Sequence, residues 1–255
     1  MDYATKTKLV RFYNMIFAGK KLLCSSIVLL ALMISLDVSA QNIGRKNLAG
    51  FDNKVFHFGF LISGNKSDFS YQLREDTTFS SALLGVHNSP QNGFNLALLA
   101  AAKVSRHLSI RFVPGLSFQD RGLNYTFYQG NSPQSTLMRT EAVNLDLPLL
   151  LKIRTDRVTN FAAYALVGAK YSKDMQSQEN VNQQLGDDIL RIEAGNYSVD
   201  LGGGFDFFLP FFKFSIEIKT ELGIKNVLIQ DDNDFTNPIE GLRTRSYIIS
   251  LCFEG

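Results

Sequence analysis

The sequence predicts an all-β chain, an eight-stranded antiparallel up-and-down transmembrane β-barrel with long outer loops and short periplasmic turns. Three observations predict it. The first is long alternation of period two. In Phe212–Ile224 one face reads Phe212, Phe214, Ile216, Ile218, Thr220, Leu222, Ile224, and the other Lys213, Ser215, Glu217, Lys219, Glu221, Gly223. No amphipathic helix keeps those two sets apart. The second is reach: roughly 13 residues at about 3.3 Å each span about 40 Å, enough to cross a bilayer at a tilt. The third is the rhythm of the connections, which run long, short, long, short, long, short, long between strands of even number.

The N-terminus reads as a targeting segment. Lys20 and Lys21 precede an apolar run from Leu22 to Leu36, and Val38-Ser39-Ala40 places small residues at the expected cleavage positions. The reading is a secretory signal over 1–40, cleaved after Ala40, with Met1 and Met15 both open as the start; a retained helical anchor is the alternative. Cys24 lacks small residues before it, which argues against a lipoprotein anchor. Residues 1–40 hold five of the 26 basic and two of the 24 acidic residues, so the mature chain keeps 21 and 22 and carries a net charge of −1. The slight basicity of the whole chain belongs to the signal and is no argument for nucleic acid. Two cysteines at opposite ends, Cys24 and Cys252, exclude a disulfide framework and a cysteine metal cluster.

After the signal, residues 41–53 read as a loosely held periplasmic lead, and 54–255 as the barrel. Its strands are expected at Val55–Gly64, Phe94–Val104, His107–Phe118, Ala142–Arg154, Asn160–Tyr171, Tyr197–Leu209, Phe212–Ile224 and Arg243–Phe253. The polar stretches Asn65–Asn92, Asp120–Thr140, Ser172–Gly195 and Lys225–Gly241 are expected as the long loops. The fifth strand spreads Ala over both faces, so its facing is open. Pro114 and Pro148 fall inside strands, where each removes a ladder donor, and bulges are the expected resolution. Gly202-Gly203-Gly204 marks a place where an interior side chain packs close.

Alternation alone does not say which face meets lipid, since a lipocalin is also an eight-stranded barrel, apolar inside. Connection asymmetry, strand length and the last strand favour the inverted arrangement. That strand carries Tyr247, Ile249, Leu251 and Phe253 on one face and closes on an aromatic, which resembles the signal read by barrel assembly machinery. The polar face then fills a lumen that eight strands leave just wide enough for side chains. Arg111, Lys152, Lys213 and Lys219 set against Asp146, Asp200, Asp206, Glu217 and Glu221 predict a paired, non-conducting network. The location this implies is the outer membrane of a Gram-negative bacterium, with both mature termini periplasmic and lipid around the wall.

A search for chemistry is thin. His57 and His107 fall towards one end of the strands and His87 towards the other; no nucleophile elbow and no His/Glu metal spacing occurs. Asp231-Asp232-Asn233-Asp234 lacks the later Gly and Glu of a calcium loop and reads as solvated. The expectation is no enzyme, no cofactor and no metal, with a small barrel hydrolase or acyltransferase using His57 as the contrary case.

Several segments are more specific than strand statistics: NLAGFDNKVFHFGF (Asn47–Phe60), LSIRFVPGLSFQDRGLNY (Leu108–Tyr125), NLDLPLLLKI (Asn144–Ile153), NFAAYALVGAKYSKDMQSQ (Asn160–Gln178) and DLGGGFDFFLPFFKFSIEIK (Asp200–Lys219). Together they resemble the PorT (SprT) family of Bacteroidetes outer-membrane barrels over nearly the whole mature chain. The resemblance implies a component of the type IX secretion system, and of gliding motility in motile species, with other secretion subunits as partners. It supplies no catalytic residue. An eight-stranded lumen is too narrow for a folded cargo, so the implied role is accessory or assembly. The alternative is a stand-alone OmpA-like structural or adhesion barrel.

Overall fold

The computed structural model describes residues 46–74, 83–129, 132–177, 190–231 and 235–255. The expected signal, its cleavage site at Ala40 and Asp232–Asp234 lie outside them. Among the described residues nine strand segments are formed: β1 (Phe56–Leu73), β2 (Leu83–Lys103), β3 (Leu108–Phe112), β4 (Gly115–Gln129), β5 (Ser132–Arg154), β6 (Phe161–Asp174), β7 (Gly195–Phe208), β8 (Lys213–Gly223) and β9 (Ile239–Glu254). Each pairs antiparallel with its sequence neighbours, except that β3 and β4 are not paired with each other and both lie between β2 and β5, so together they make one pass. The first and last strands also pair, from Gly59 opposite Glu254 to Leu73 opposite Ile239, and the sheet closes into a ring. Over the span the described strands share, closure leaves no open edge.

The break between β3 and β4 is where the two prolines act. Pro114 interrupts the third pass, while Pro148 stays within β5 and faces that interruption, accepting the Val113 N–H at 3.2 Å. The Pro114 carbonyl accepts from Leu98 at 2.9 Å. The two missing donors therefore coincide at one gap in the ladder, and a strand break replaces the expected bulges.

Side chains alternate across the wall with the pleat. In β8, Lys213, Ser215, Glu217, Lys219 and Glu221 are buried, and Ile216, Ile218 and Leu222 are exposed. In β1 the exposed row is Phe56, Phe58, Phe60, Ile62, and the inward row His57, Leu61, Ser63, Asn65, Ser67, Phe69. Inward residues keep their parity to the end of the strand, but the chemistry inverts along it. Up to the level where Lys66 pairs with Tyr247, the outside is apolar and the inside carries the charged side chains beside a small apolar cluster. Beyond it the inside holds Phe69, Val86, Leu123, Tyr125, Ile239 and Leu242, covered by Leu190, Ile192, Val227 and Leu228. The outside there carries Asp68, Asp120, Arg139, Glu141, Arg243 and Arg245.

That inversion corrects two expectations. Most of the described residues of Asn65–Asn92 and of Asp120–Thr140 are strand: β1 runs to Leu73, β2 starts at Leu83, and β4 and β5 are separated by residues 130–131 alone. Their outward rows are polar because they stand clear of the apolar belt. Connections 104–107, 155–160 and 209–212 are short, as the sequence rhythm requires. At the other end, 175–194 and 224–238 remain long.

Candidate functional site: a filled, charge-balanced interior

Within the apolar belt five cations face six carboxylates among the described residues. Nearest the short turns, Arg111 reaches Glu217 at 3.0 Å and Glu254 at 2.6 Å, Lys213 reaches Glu254 at 2.7 Å, and Lys152 lies 2.8 Å from both Asp206 oxygens. Tyr164 donates to Glu217 at 3.1 Å, and its ring face takes the Lys152 ammonium 3.5 Å from the centroid. Ser215 completes Asp206 at 2.6 Å. Further up, Lys219 pairs with Asp200 at 3.1 Å, and Lys170 bridges Asp146, at 3.0 Å, and Glu221. This upper group has one more carboxylate than ammonium. Arg121, above it, supplies the missing charge and donates to Gln119.

The structure thus brings Arg111, Asp146, Lys152, Asp200, Asp206, Lys213, Glu217, Lys219 and Glu221 into one interior. Tyr247, Ile249 and Leu251 stand exposed on the outer wall of β9, with Phe253 half-buried among Phe60, Phe212 and Phe214. Sequence reading missed Arg121, Tyr164, Lys170 and Glu254. Lys170 sits on the Ala-rich strand whose facing was open. Glu254 follows Phe253, one residue past the expected end, and shares parity with Ser250 and Cys252.

Beside the charge network the interior also holds an apolar cluster: Leu61, Leu99, Ala101, Val113, Leu150 and Cys252 pack together, with Arg111 between Ala101 and Leu150 in the register. Among the described residues the space beside the network is small, with cavities of about 40, 20 and 30 Å³, and a larger one of about 200 Å³ lies only at the far end, beside Arg139, Asp174 and Leu190. Each of those beside the network has room for only a few waters.

Gly204 carries part of this packing. A Cβ there would lie 2.7 Å from the Tyr164 hydroxyl and 2.3 Å from the Ile216 carbonyl. Gly204→Val is expected to push Tyr164 off Glu217 and lower stability by about 1–3 kcal/mol. The urea midpoint of the protein refolded in detergent checks this; an unchanged midpoint would show that the close approach carries no stability.

The short-turn end is closed by the lead, which corrects the expectation that residues 41–53 are loosely held: from Asn47 onward the chain is pinned. Asn47 donates to the Phe208 carbonyl at 3.0 Å and receives Arg157 on its own carbonyl. The 3₁₀ turn Phe51–Asn53 buries Phe51 against His57, with ring centroids 4.0 Å apart, and edge-on to Phe208 at 5.9 Å. Asp52 takes Arg154 at 2.8 Å and Arg157 at 3.4 Å, while its carbonyl takes Lys103. His57 and His107 line the same small cavity under this turn, whereas His87 is exposed at the far end of β2.

Burial alone would raise the Asp52 pKa, but the hydrogen bond and charge of Arg154 and the charge of Arg157 outweigh it and hold the carboxyl below the usual carboxylate range. A depressed folded-state pKa stabilises the latch above the ordinary carboxyl pKa, near 4, and that contribution is lost as pH falls through the lowered value. The chain has no Trp, so Leu48→Trp makes a single reporter of the docked turn. Its emission is expected to shift red between pH 5 and pH 2.5, and to be red-shifted at both in an Asp52→Asn background. Emission that ignores pH would mean Asp52 does not hold the turn.

Among the described residues no group of three or more His, Cys, Asp or Glu side chains is placed to hold a metal ion. Asp231 is engaged by Arg191, whose Nε donates to it at 2.7 Å.

A closed antiparallel ring, apolar outside and ion-paired inside over the same span, defines the class of protein that sits in a bilayer by its strands. Comparison with known proteins gives the family. The model for the outer membrane protein beta-barrel domain matches residues 40–228, and the chain belongs to that family. Its location is the outer membrane. Among solved structures it is similar to OprG from Pseudomonas aeruginosa, at 12% identity over 78% of this chain and 93% of that one, with a TM-score of 0.46. It is similar also to Neisserial surface protein A, at 12% identity over 78% and 96%, TM-score 0.39. A third is the attachment invasion locus protein Ail of Yersinia pestis in complex with the heparin analogue sucrose octasulfate, at 11% identity over 79% and 100%, TM-score 0.37. No curated protein matches.

Proposed function

We propose that this chain is an eight-pass transmembrane barrel, neither enzyme nor pore, that serves type IX protein secretion as an accessory or assembly subunit. On this reading the short turns and both mature termini are periplasmic, lipid meets the apolar belt, and barrel assembly machinery reads the Tyr247–Phe253 row. The observation that carries it is the filled interior. Residual cavities of a few tens of Å³ leave no path for a polypeptide, so a role in secretion has to run through the outer wall, the loops or the periplasmic face, against a larger partner. The secretion pathway comes from the resemblance of the five segments quoted above.

The test is a clean deletion in a secreting species. Cargo is expected to accumulate in the periplasm while the translocating pore is made at its normal level. Normal secretion by the deletion strain would sink the assignment. One observation favours the second reading, a stand-alone structural or adhesion barrel: beyond the belt the strands enclose their own apolar core around Phe69, Leu123 and Tyr125. That element needs no partner to be stable. A chain that purifies from native membranes alone, with no secretion subunit attached, would support it.

A further inference from the structure

At the end of the belt away from the short turns, β1 and β9 carry an outward cluster of three cations. Arg245 is fixed by a bidentate pair with Asp68, at 2.9 and 2.7 Å, and lies over the Tyr247 ring at 5.8 Å. Lys66, opposite Tyr247 in the register, and Arg243, opposite Ser70, are exposed, and neither has an ion-pair partner among the described residues. The cluster therefore has a net charge of +2, with Arg245 neutralised by Asp68. Immediately below it on the same wall stand Tyr247, Ile249 and Leu251, all exposed and apolar.

We infer that Lys66, Arg243 and Arg245 form a binding site for the phosphate of a membrane lipid, seated where the apolar belt ends. Position argues for a lipid. An interfacial tyrosine marks the depth at which acyl chains give way to headgroups, and the row continuing downward from it suits the chains of the same molecule. Geometry argues for phosphate. Lys66 and Arg245 are diagonal neighbours across the β1–β9 ladder, about 7–8 Å apart at the backbone, a gap that one tetrahedral anion bridges with an oxygen towards each cation. Holding Arg245 by Asp68 orients its guanidinium before any ligand arrives and leaves the surplus charge on the two flanking side chains. On the opposite side of the ring, at the same level, Asp120 pairs with Glu141, so the attraction is local to β1 and β9.

Assigning this lipid to the outer leaflet rests on the orientation proposed above; phosphate binding does not. The full mature chain is placed in phosphatidylcholine nanodiscs with one lipid in ten replaced by phosphatidic acid, and lipids retained on the protein are counted by native mass spectrometry. Phosphatidic acid is expected to be enriched over phosphatidylcholine, and Lys66→Gln with Arg243→Gln to reduce that enrichment by about fivefold for each cation removed. Arg106→Gln, at the short-turn end, should leave it unchanged. No enrichment, or enrichment that survives the double substitution, overturns the inference. So does displacement by 10 mM inorganic phosphate, which would reveal a site for the free anion. Orientation is read separately, by labelling Lys66→Cys in intact cells with a membrane-impermeant maleimide. Failure to label there leaves the phosphate result standing and sinks the orientation alone.

Discussion

Replacing Arg111 by methionine is expected to lower the stability of the folded ring by about 3–5 kcal/mol, the cost of leaving buried carboxylates without their cation. Arg111 is 1% exposed and holds two of them, Glu217 and Glu254. After its removal Glu254 keeps Lys213 and Glu217 keeps the Tyr164 hydroxyl, but the lower layer then has three carboxylates against two ammonium groups. The partner change separates charge from shape. Glu217→Gln in the Arg111→Met background removes one surplus negative charge, so the double variant should be more stable than the sum of the singles by about 1–3 kcal/mol. Urea unfolding in detergent or vesicles gives both numbers. A loss under about 1 kcal/mol for Arg111→Met would mean that water reaches the guanidinium, and the filled interior would have to be abandoned.

What the sequence made legible follows from where two chemistries had to differ across one wall. Inside the belt β3 and β5 to β9 carry lipid-compatible residues on one side and partners for a charge network on the other, so Phe212–Ile224 displays its facing outright. In the upper tier the apolar residues point inward and the outward ones are polar, as in any soluble sheet, and the inward row is sparse: Phe69 and Tyr71 follow Ser63, Asn65 and Ser67. Those segments read as loops for that reason. The fifth pass was ambiguous because Ala162, Ala163 and Ala165 are small enough for either face. Tyr164, Gly168 and Lys170 share one parity there, and the hint lay in Lys170 standing opposite Tyr171 in the alternation. Arg121 was hidden inside an apparent loop, and without it the upper charge group looks one cation short. The latch at Phe51 had no periodic signal at all, since a 3₁₀ turn depends on its docking partners Phe208, Arg154 and Arg157, which are distant in sequence.

Which side of the wall meets lipid has a direct energetic test. Ile218 is exposed at the middle of the belt, opposite Gly203 on β7 and Ile249 on β9. An arginine there would carry its charge into the hydrocarbon, so Ile218→Arg is expected to cost about 2–4 kcal/mol in vesicles. Gln72→Arg is also on the outer face but lies above the belt, opposite Gly241, and should cost about 0–1 kcal/mol by the same depth dependence. The contrast is what discriminates. In a water-soluble calyx both sites would be solvated, and the two substitutions would be equally mild. In a bilayer the first should also reduce the amount of heat-modifiable, folded protein recovered from outer membranes, because a charge on the lipid face lowers the stability of the inserted ring. The same logic bears on the partner question. If a secretion subunit covers β8, Ile218→Arg should abolish secretion even when it is expressed at levels that restore normal amounts of folded barrel; if lipid alone covers it, secretion should recover with abundance.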